Sequence, residues 1–142
     1  MLASNYRGGG GSDGVDEWGG RDVDDVMNLI PLARDLGYID MANLFMIGMS
    51  RGGPMTYIAL RRKFPANAAA VISGVTDLRR ETRRAEFVEG DDPAFRRMGW
   101  PGWRKVYEVV VYANDGHSLP RHRKDRDAHI IDWFKAHMRC AP

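Results

Sequence analysis

Ser50 stands in Gly48-Met49-Ser50-Arg51-Gly52, directly after an apolar run and directly before a helical pattern. A serine hydroxyl is a weak nucleophile until a neighbouring base takes its proton. A turn between strand and helix solves the second problem, access. It holds the serine in a strained backbone conformation and lifts Oγ clear of the sheet. Small residues two places away on each side let the strand and the helix pass close together, and Gly53 extends that allowance. The same turn aims the Arg51 N–H, at a helix N-terminus, towards a developing oxyanion. The chemistry expected is acyl transfer through a covalent intermediate on Ser50. The plainer alternative is a glycine-rich turn with an ordinary serine.

The base is sought among His117, His122, His129 and His137. His117 lies in Asn114-Asp115-Gly116-His117-Ser118, just past an apolar run that reads as a strand. That places it at a strand's carboxyl end, on the sheet edge that carries Ser50. The chain order serine, then histidine, suits an α/β-hydrolase. His129 and His137 fall on a closing helix and read as packing or surface residues. His117, His122 and His129 lack zinc-ligand spacing, so neither a metal nor a cofactor is expected.

The orienting acid is the harder assignment. Asp77 ends a predicted strand between Ser50 and His117 and is the chosen candidate, with a simple cap as its alternative role. Asp91 and Asp92 lie in polar sequence. Asp115 is two residues from His117, an awkward separation for accepting its Nδ1–H. Tyr6, Trp100 and Trp103 are the candidate substrate-binding residues; Trp100 and Trp103, flanking Pro101-Gly102, serve equally well as a small satellite core.

These residues need elements to position them. Residues 2–5 read as the end of a strand. Seven of the 16 glycines fall between Gly8 and Gly20, so that stretch is loop. A flexible linker is its bland reading, against which stand the aromatic and charged residues on both sides. From Asp22, a candidate N-cap, Val23, Val26, Met27, Ile30 and Ala33 follow helical spacing. Asp24 and Asp25 suit its first turn. Pro31 predicts a kink or break, and Gly37 a stop. Residues 43–48 read as a strand buried on both faces, 50–64 as a helix ended by Pro65, and 68–75 as a second strand. Residues 79–104 are polar up to Gly-Trp-Pro-Gly-Trp. Residues 106–112 read as a third strand and 125–138 as the closing helix, with Ile130, Ile131, Trp133, Phe134, His137 and Met138 on its apolar face. Strand and helix alternate, so the fold class is α/β, a single domain over 1–142 with a small, mainly parallel sheet flanked by helices.

Composition narrows the partners. The 142 residues are 44% hydrophobic and 28% charged, an ordinary globular balance. The 21 basic and 19 acidic residues leave a net charge of +2. The arginine clusters alternate with acids and read as solvated surface, so no nucleic-acid partner is expected. No apolar run is long enough to span a membrane, and no signal peptide is legible. Cys140 has no cysteine partner, which fits a reduced, cytoplasmic compartment.

Asn5-Tyr6-Arg7-Gly8 through Gly14, Trp18-Gly19-Gly20, Gly37-Tyr38-Ile39-Asp40 and Gly48-Met49-Ser50-Arg51-Gly52-Gly53 together resemble the prolyl oligopeptidase family of serine peptidases. Asn114-Asp115-Gly116-His117, followed by Trp133-Phe134, resembles the end of the same catalytic domain. The resemblance covers residues 2–78 and 105–138. It implies an α/β-hydrolase fold, with Ser50 as nucleophile, His117 as base and the Arg51 N–H as half of the oxyanion hole. The family cleaves peptides and, often, simple esters.

The departures from the family pattern carry expectations of their own. The strands that precede Asn-Tyr-Arg-Gly in the family, the loop supplying the second oxyanion donor, the strand that ends in the acid and the β-propeller are not found in this sequence. A reduced α/β-hydrolase core is therefore expected, with strand 106–112 moving beside 68–75 and bringing Asp77 towards His117. The Asn43 strand would then have a bare edge, which predicts a homo-oligomer. The activity expected is a serine hydrolase acting on short esters or short peptides. The alternative is a non-catalytic hydrolase core used for binding.

Overall fold

A computed structural model describes residues 1–74 and 108–140. The elements are α1 (Asp22–Met27), α2 (Leu29–Asp35), β1 (Phe45–Met49), α3 (Gly52–Arg61), β2 (Ala68–Ile72) and α4 (Arg123–Ala136). β1 and β2 pair in parallel, with Phe45 opposite Ala68 and Met49 opposite Ile72. α3 is the crossover between them, so the centre of the fold is one β-α-β unit.

The core forms where α1 and α3 meet above the sheet. Val23 and Val26 of α1 pack with Met55 and Ala59 of α3, and Met46, Ile58, Phe64 and Tyr6 close around them. Met46 and Gly48 of β1 face this layer; Phe45, Ile47 and Met49 alternate to the other side. There Phe134 of α4 stacks on Phe45, with ring centroids 4.7 Å apart. The layers are therefore helix, sheet, helix.

The direction of α4 matters for the site. Just past its C-terminal end, Asn43 donates to the Arg139 carbonyl at 3.0 Å and accepts the Arg139 N–H at 2.7 Å. Asn67 donates to the His137 carbonyl at 3.3 Å. Asn43 and Asn67 precede β1 and β2, so α4 ends at the amino edge of the sheet. Its first turn, and the loop leading into it, stand at the carboxyl edge.

Several expectations change. The segment after Asp22 is two helices, broken at Asn28 rather than at Pro31. Proline has no N–H, and its ring would meet the carbonyl four residues back, at Met27; α1 stops there. Pro31 then occupies the first turn of α2, where no N–H is needed. Asp22 is the first residue of α1 and not its cap, which is Arg21. Gly37 ends α2 as expected, with φ +71° and its N–H on the Arg34 carbonyl at 3.2 Å. Residues 2–5 are not strand.

Residues 108–112, the described part of the expected third strand, are not strand either. Val109, Val110 and Val111 are 54%, 39% and 61% exposed. Their β-branched side chains suit a strand, but propensity makes no strand without a neighbour to pair with. Among the described residues the sheet has two strands. The apolar face of α4 is narrower than expected. Ile130, Trp133, Phe134 and His137 are half-buried, and Ile131 and Met138 are exposed.

Candidate active site

Ser50 links β1 to α3 with φ +53°, in the left-handed region that a residue with a side chain rarely adopts. Two hydrogen bonds hold it there. Its N–H donates to the Ile72 carbonyl at 2.9 Å, and its carbonyl accepts the Gly53 N–H at 2.9 Å. The first ties the turn to the end of β2; the second begins α3. Gly48 is needed because a Cβ there would overlap the Gly52 carbonyl and the Thr56 hydroxyl. Gly53 is needed because its Cβ would lie 2.7 Å from the Gly74 Cα. Gly52, expected to be small for the same reason, has open space around it. The close approach falls one residue later than the motif suggests.

Arg51 performs two jobs. Its backbone N–H, at the start of α3, donates to no acceptor among the described residues. Its guanidinium is bound to both carboxylate oxygens of Asp16 and, at 2.9 Å, to Asp22. Its faces meet the rings of Tyr6 and Trp18, 4.9 and 4.7 Å from the centroids. Asp22 is fully buried and also accepts the Gly19 N–H at 3.0 Å. One side chain thus clamps the glycine-rich segment onto the turn that carries Ser50. Burial opposes the charge on Arg51, but the bonds from Asp16 and Asp22 outweigh it and raise its pKa. The bond from Arg51 in turn holds the Asp16 carboxyl below its usual range. Burial raises the Tyr6 hydroxyl more than the charge of Arg51 lowers it. Nearby, Arg7 grips Asp25 through Nη2 at 2.6 Å and Nε at 3.0 Å, fixing the same segment to α1.

The loop before α4 brings His117 to the same edge. Ser118 donates its N–H to the Ser73 hydroxyl at 3.2 Å. Ser73 follows Ile72, the residue whose carbonyl holds Ser50. Ser50 and Ser118 are therefore fastened to consecutive residues at the end of β2. The His117 ring is exposed, and among the described residues it has no hydrogen-bond partner; Ser50 and His117 are not bonded to each other. Catalytic hydrogen bonds are often open before substrate binds.

Asp115 does hold a histidine, but it is His122. The Nδ1 of His122 lies 2.9 Å from the Asp115 carboxylate. Burial pushes the Asp115 carboxyl up, and the bonds from His122, Gly116 and Arg121 bring it down to about 2. The His122 ring also leans on Tyr112, 4.9 Å between centroids. The Tyr112 hydroxyl donates to Asp125 at 2.7 Å and, with burial, is pushed up to about 12.

The structure thus gathers Ser50, Arg51 and the His117 loop at one sheet edge. Tyr6 is half-buried against the core, with the Arg51 guanidinium over its ring. Asp77, Trp100 and Trp103 lie outside the described residues, and so does the proposed approach of Asp77 to His117. His137 leans on Trp133, and His129 lies exposed beside Asp125 at 3.6 Å. Asp16, Trp18 and Asp22 are not legible as partners of Arg51 from sequence, where Asp22 reads as an N-cap and Trp18 only as part of Trp18-Gly19-Gly20. Among the described residues no three His, Cys, Asp or Glu side chains gather as metal ligands. No described helix is long and apolar enough to cross a membrane.

Searches of curated proteins and of solved structures found no match to the chain. The model of the prolyl oligopeptidase family matches residues 1–103, which include the glycine-rich segment, the Arg51 clamp and the Ser50 turn. With well over half of its 142 residues matched, the chain belongs to the prolyl oligopeptidase family.

Proposed function

We propose that the protein is a serine hydrolase that cleaves short esters through an acyl-enzyme on Ser50. The observation that carries this reading is the backbone of Ser50 itself, at φ +53° between a strand and a helix. Strain of this kind persists only where the surroundings impose it, and it costs stability that an ordinary turn need not give up. In this reading His117 takes the Ser50 proton and returns it to the leaving alcohol. The N–H of Arg51, which has no acceptor among the described residues, stabilises the tetrahedral oxyanion. Esters are favoured over peptides because an alkoxide leaves more readily than an amide anion, which must be protonated first and so asks more of the general acid. A triad without its acid still retains part of its catalysis.

A second reading has its own observation. The exposed ring of His117, which has no hydrogen-bond partner among the described residues, suits a hydrolase core that binds without turnover. Hydrolysis of p-nitrophenyl acetate and butyrate separates the two. The hydrolase reading expects saturable turnover that falls to background in Ser50→Ala and His117→Ala. Equal rates in wild type and both variants would leave the binding role.

A further inference from the structure

Asp115 has no part in the reading above, yet it organises the loop that carries His117. Its side chain is fully buried, at 0% exposure. It accepts the N–H groups of Gly116 at 2.7 Å, Arg121 at 3.1 Å and His122 at 3.1 Å, and the His122 ring at 2.9 Å. The bonds to residues 121 and 122 close the intervening chain into a loop, with His117 inside its span. That loop is not one the chain would adopt unaided. Asn114, Ser118 and Leu119 all have positive φ, at +58°, +71° and +54°. Arg121 closes it further by donating to the Asn114 carbonyl at 2.8 Å. The Arg126 guanidinium, from α4, donates to the Ser118 carbonyl.

We propose that Asp115 is a positioning residue for His117, acting through the loop rather than through the ring. The buried carboxylate fixes both ends of the loop, the Ser118–Ser73 bond seats it on β2, and His117 is thereby held at the edge that carries Ser50. A carboxylate usually orients a catalytic histidine by accepting its Nδ1–H. Here the accepted Nδ1 belongs to His122, which the tilted contact with the Tyr112 ring and the bond from its own N–H fix at the start of α4. His122 is a strut, and His117 is the group being positioned. This inference rests on Ser50 and His117 being nucleophile and base.

The test compares wild type, Asp115→Asn and His122→Ala in p-nitrophenyl butyrate hydrolysis. Rates are expressed per Ser50 that a fluorophosphonate labels at completion. Asp115→Asn is expected to lower kcat per labelled site about ten- to a hundredfold, because small misplacements of a reacting group cost that much. KM should stay within about twofold. The midpoint of the acid limb of kcat/KM against pH should move by less than about one unit, since the carboxylate is not bonded to the His117 ring. His122→Ala leaves the three backbone bonds to Asp115 and should cost only about two- to fivefold.

A wild-type kcat per labelled site in Asp115→Asn, with fewer sites labelled, would make Asp115 purely structural and overturn the inference. So would a shift of the acid limb by more than about one unit, the size expected of a carboxylate bonded to the catalytic ring. A loss in His122→Ala as large as in His117→Ala would make His122 the base and overturn it too. If folded wild type takes no label at all, the reading of Ser50 and His117 fails, and this inference falls with it.

Discussion

The N–H of Ser118 reaches the Oγ of Ser73 across 3.2 Å, one residue beyond the carbonyl that anchors Ser50. Two distant parts of the chain, the turn after β1 and the loop before α4, are registered against each other through the end of β2. The loop that carries residue 117 is thereby seated at the sheet edge that carries residue 50, although the two lie far apart in sequence.

Removing that link should show in the reaction more than in the fold. Ser73→Ala loses one hydrogen bond, worth about 1 kcal/mol. The melting temperature should fall by a few degrees at most. Ester turnover should fall about fivefold, because the His117 loop is no longer seated on β2. Unchanged turnover would place the seating elsewhere.

The glycines of the turn separate by their surroundings. Gly48→Ala forces a methyl into the Gly52 carbonyl and the Thr56 hydroxyl, and should destabilise by about 1–3 kcal/mol. Gly52→Ala enters open space and should stay within about 0.5 kcal/mol of wild type. Urea unfolding of the two variants checks this directly. Equal losses would contradict the packing described for the turn.

Arg51→Ala removes the clamp and leaves the buried Asp22 carboxylate with only the Gly19 N–H. The loss should be about 2 kcal/mol, below the usual cost of breaking a buried pair because Arg51 is itself 24% exposed. Arg51→Lys keeps the charge but not the fork that binds both oxygens of Asp16, and should recover only part of the loss. Full recovery by lysine would mean that charge alone matters there.

Acid should loosen the molecule in a defined window. A carboxylate whose folded pKa lies below its ordinary value adds stability that is complete above the ordinary value and is lost as pH falls through the folded one. Asp115, lowered from 3.8 to about 2, places that loss between those two values. Asp16 and Asp25 are lowered by their bonds to Arg51 and Arg7 and act in the same direction. The melting temperature should therefore be level from pH 7 to 5 and fall below about pH 4. Asp115→Asn should flatten part of that fall. A melting temperature that rises towards pH 3 would contradict the assignment.

Local signals made the β1–α3–β2 unit legible. The apolar run at 43–48, the helical spacing after Ser50 and the apolar run at 68–75 each match an element within a few residues. The strained turn at Ser50 was legible for the same reason, since its cause is the strand and helix on either side. The break before Pro31 was legible in kind but not in place, because the clash falls four residues back, at Met27. The Arg51 clamp was not legible: Asp16, Trp18 and Asp22 meet Arg51 only once α1 packs on α3. Nor was the pairing of Asp115 with His122. A separation of seven residues becomes a contact where the chain turns back, with positive φ at Ser118 and Leu119. Val109–Val111 misled because a strand depends on a partner that their sequence does not specify.

The proposed reaction needs Ser50 to be an activated nucleophile served by His117. Fluorophosphonate labelling of the folded protein, with the adduct located by mass spectrometry in wild type, Ser50→Ala and His117→Ala, tests it most directly. One label per chain is expected, on Ser50, lost in both variants. A folded wild type that takes no label, or a label that persists in His117→Ala, would contradict it.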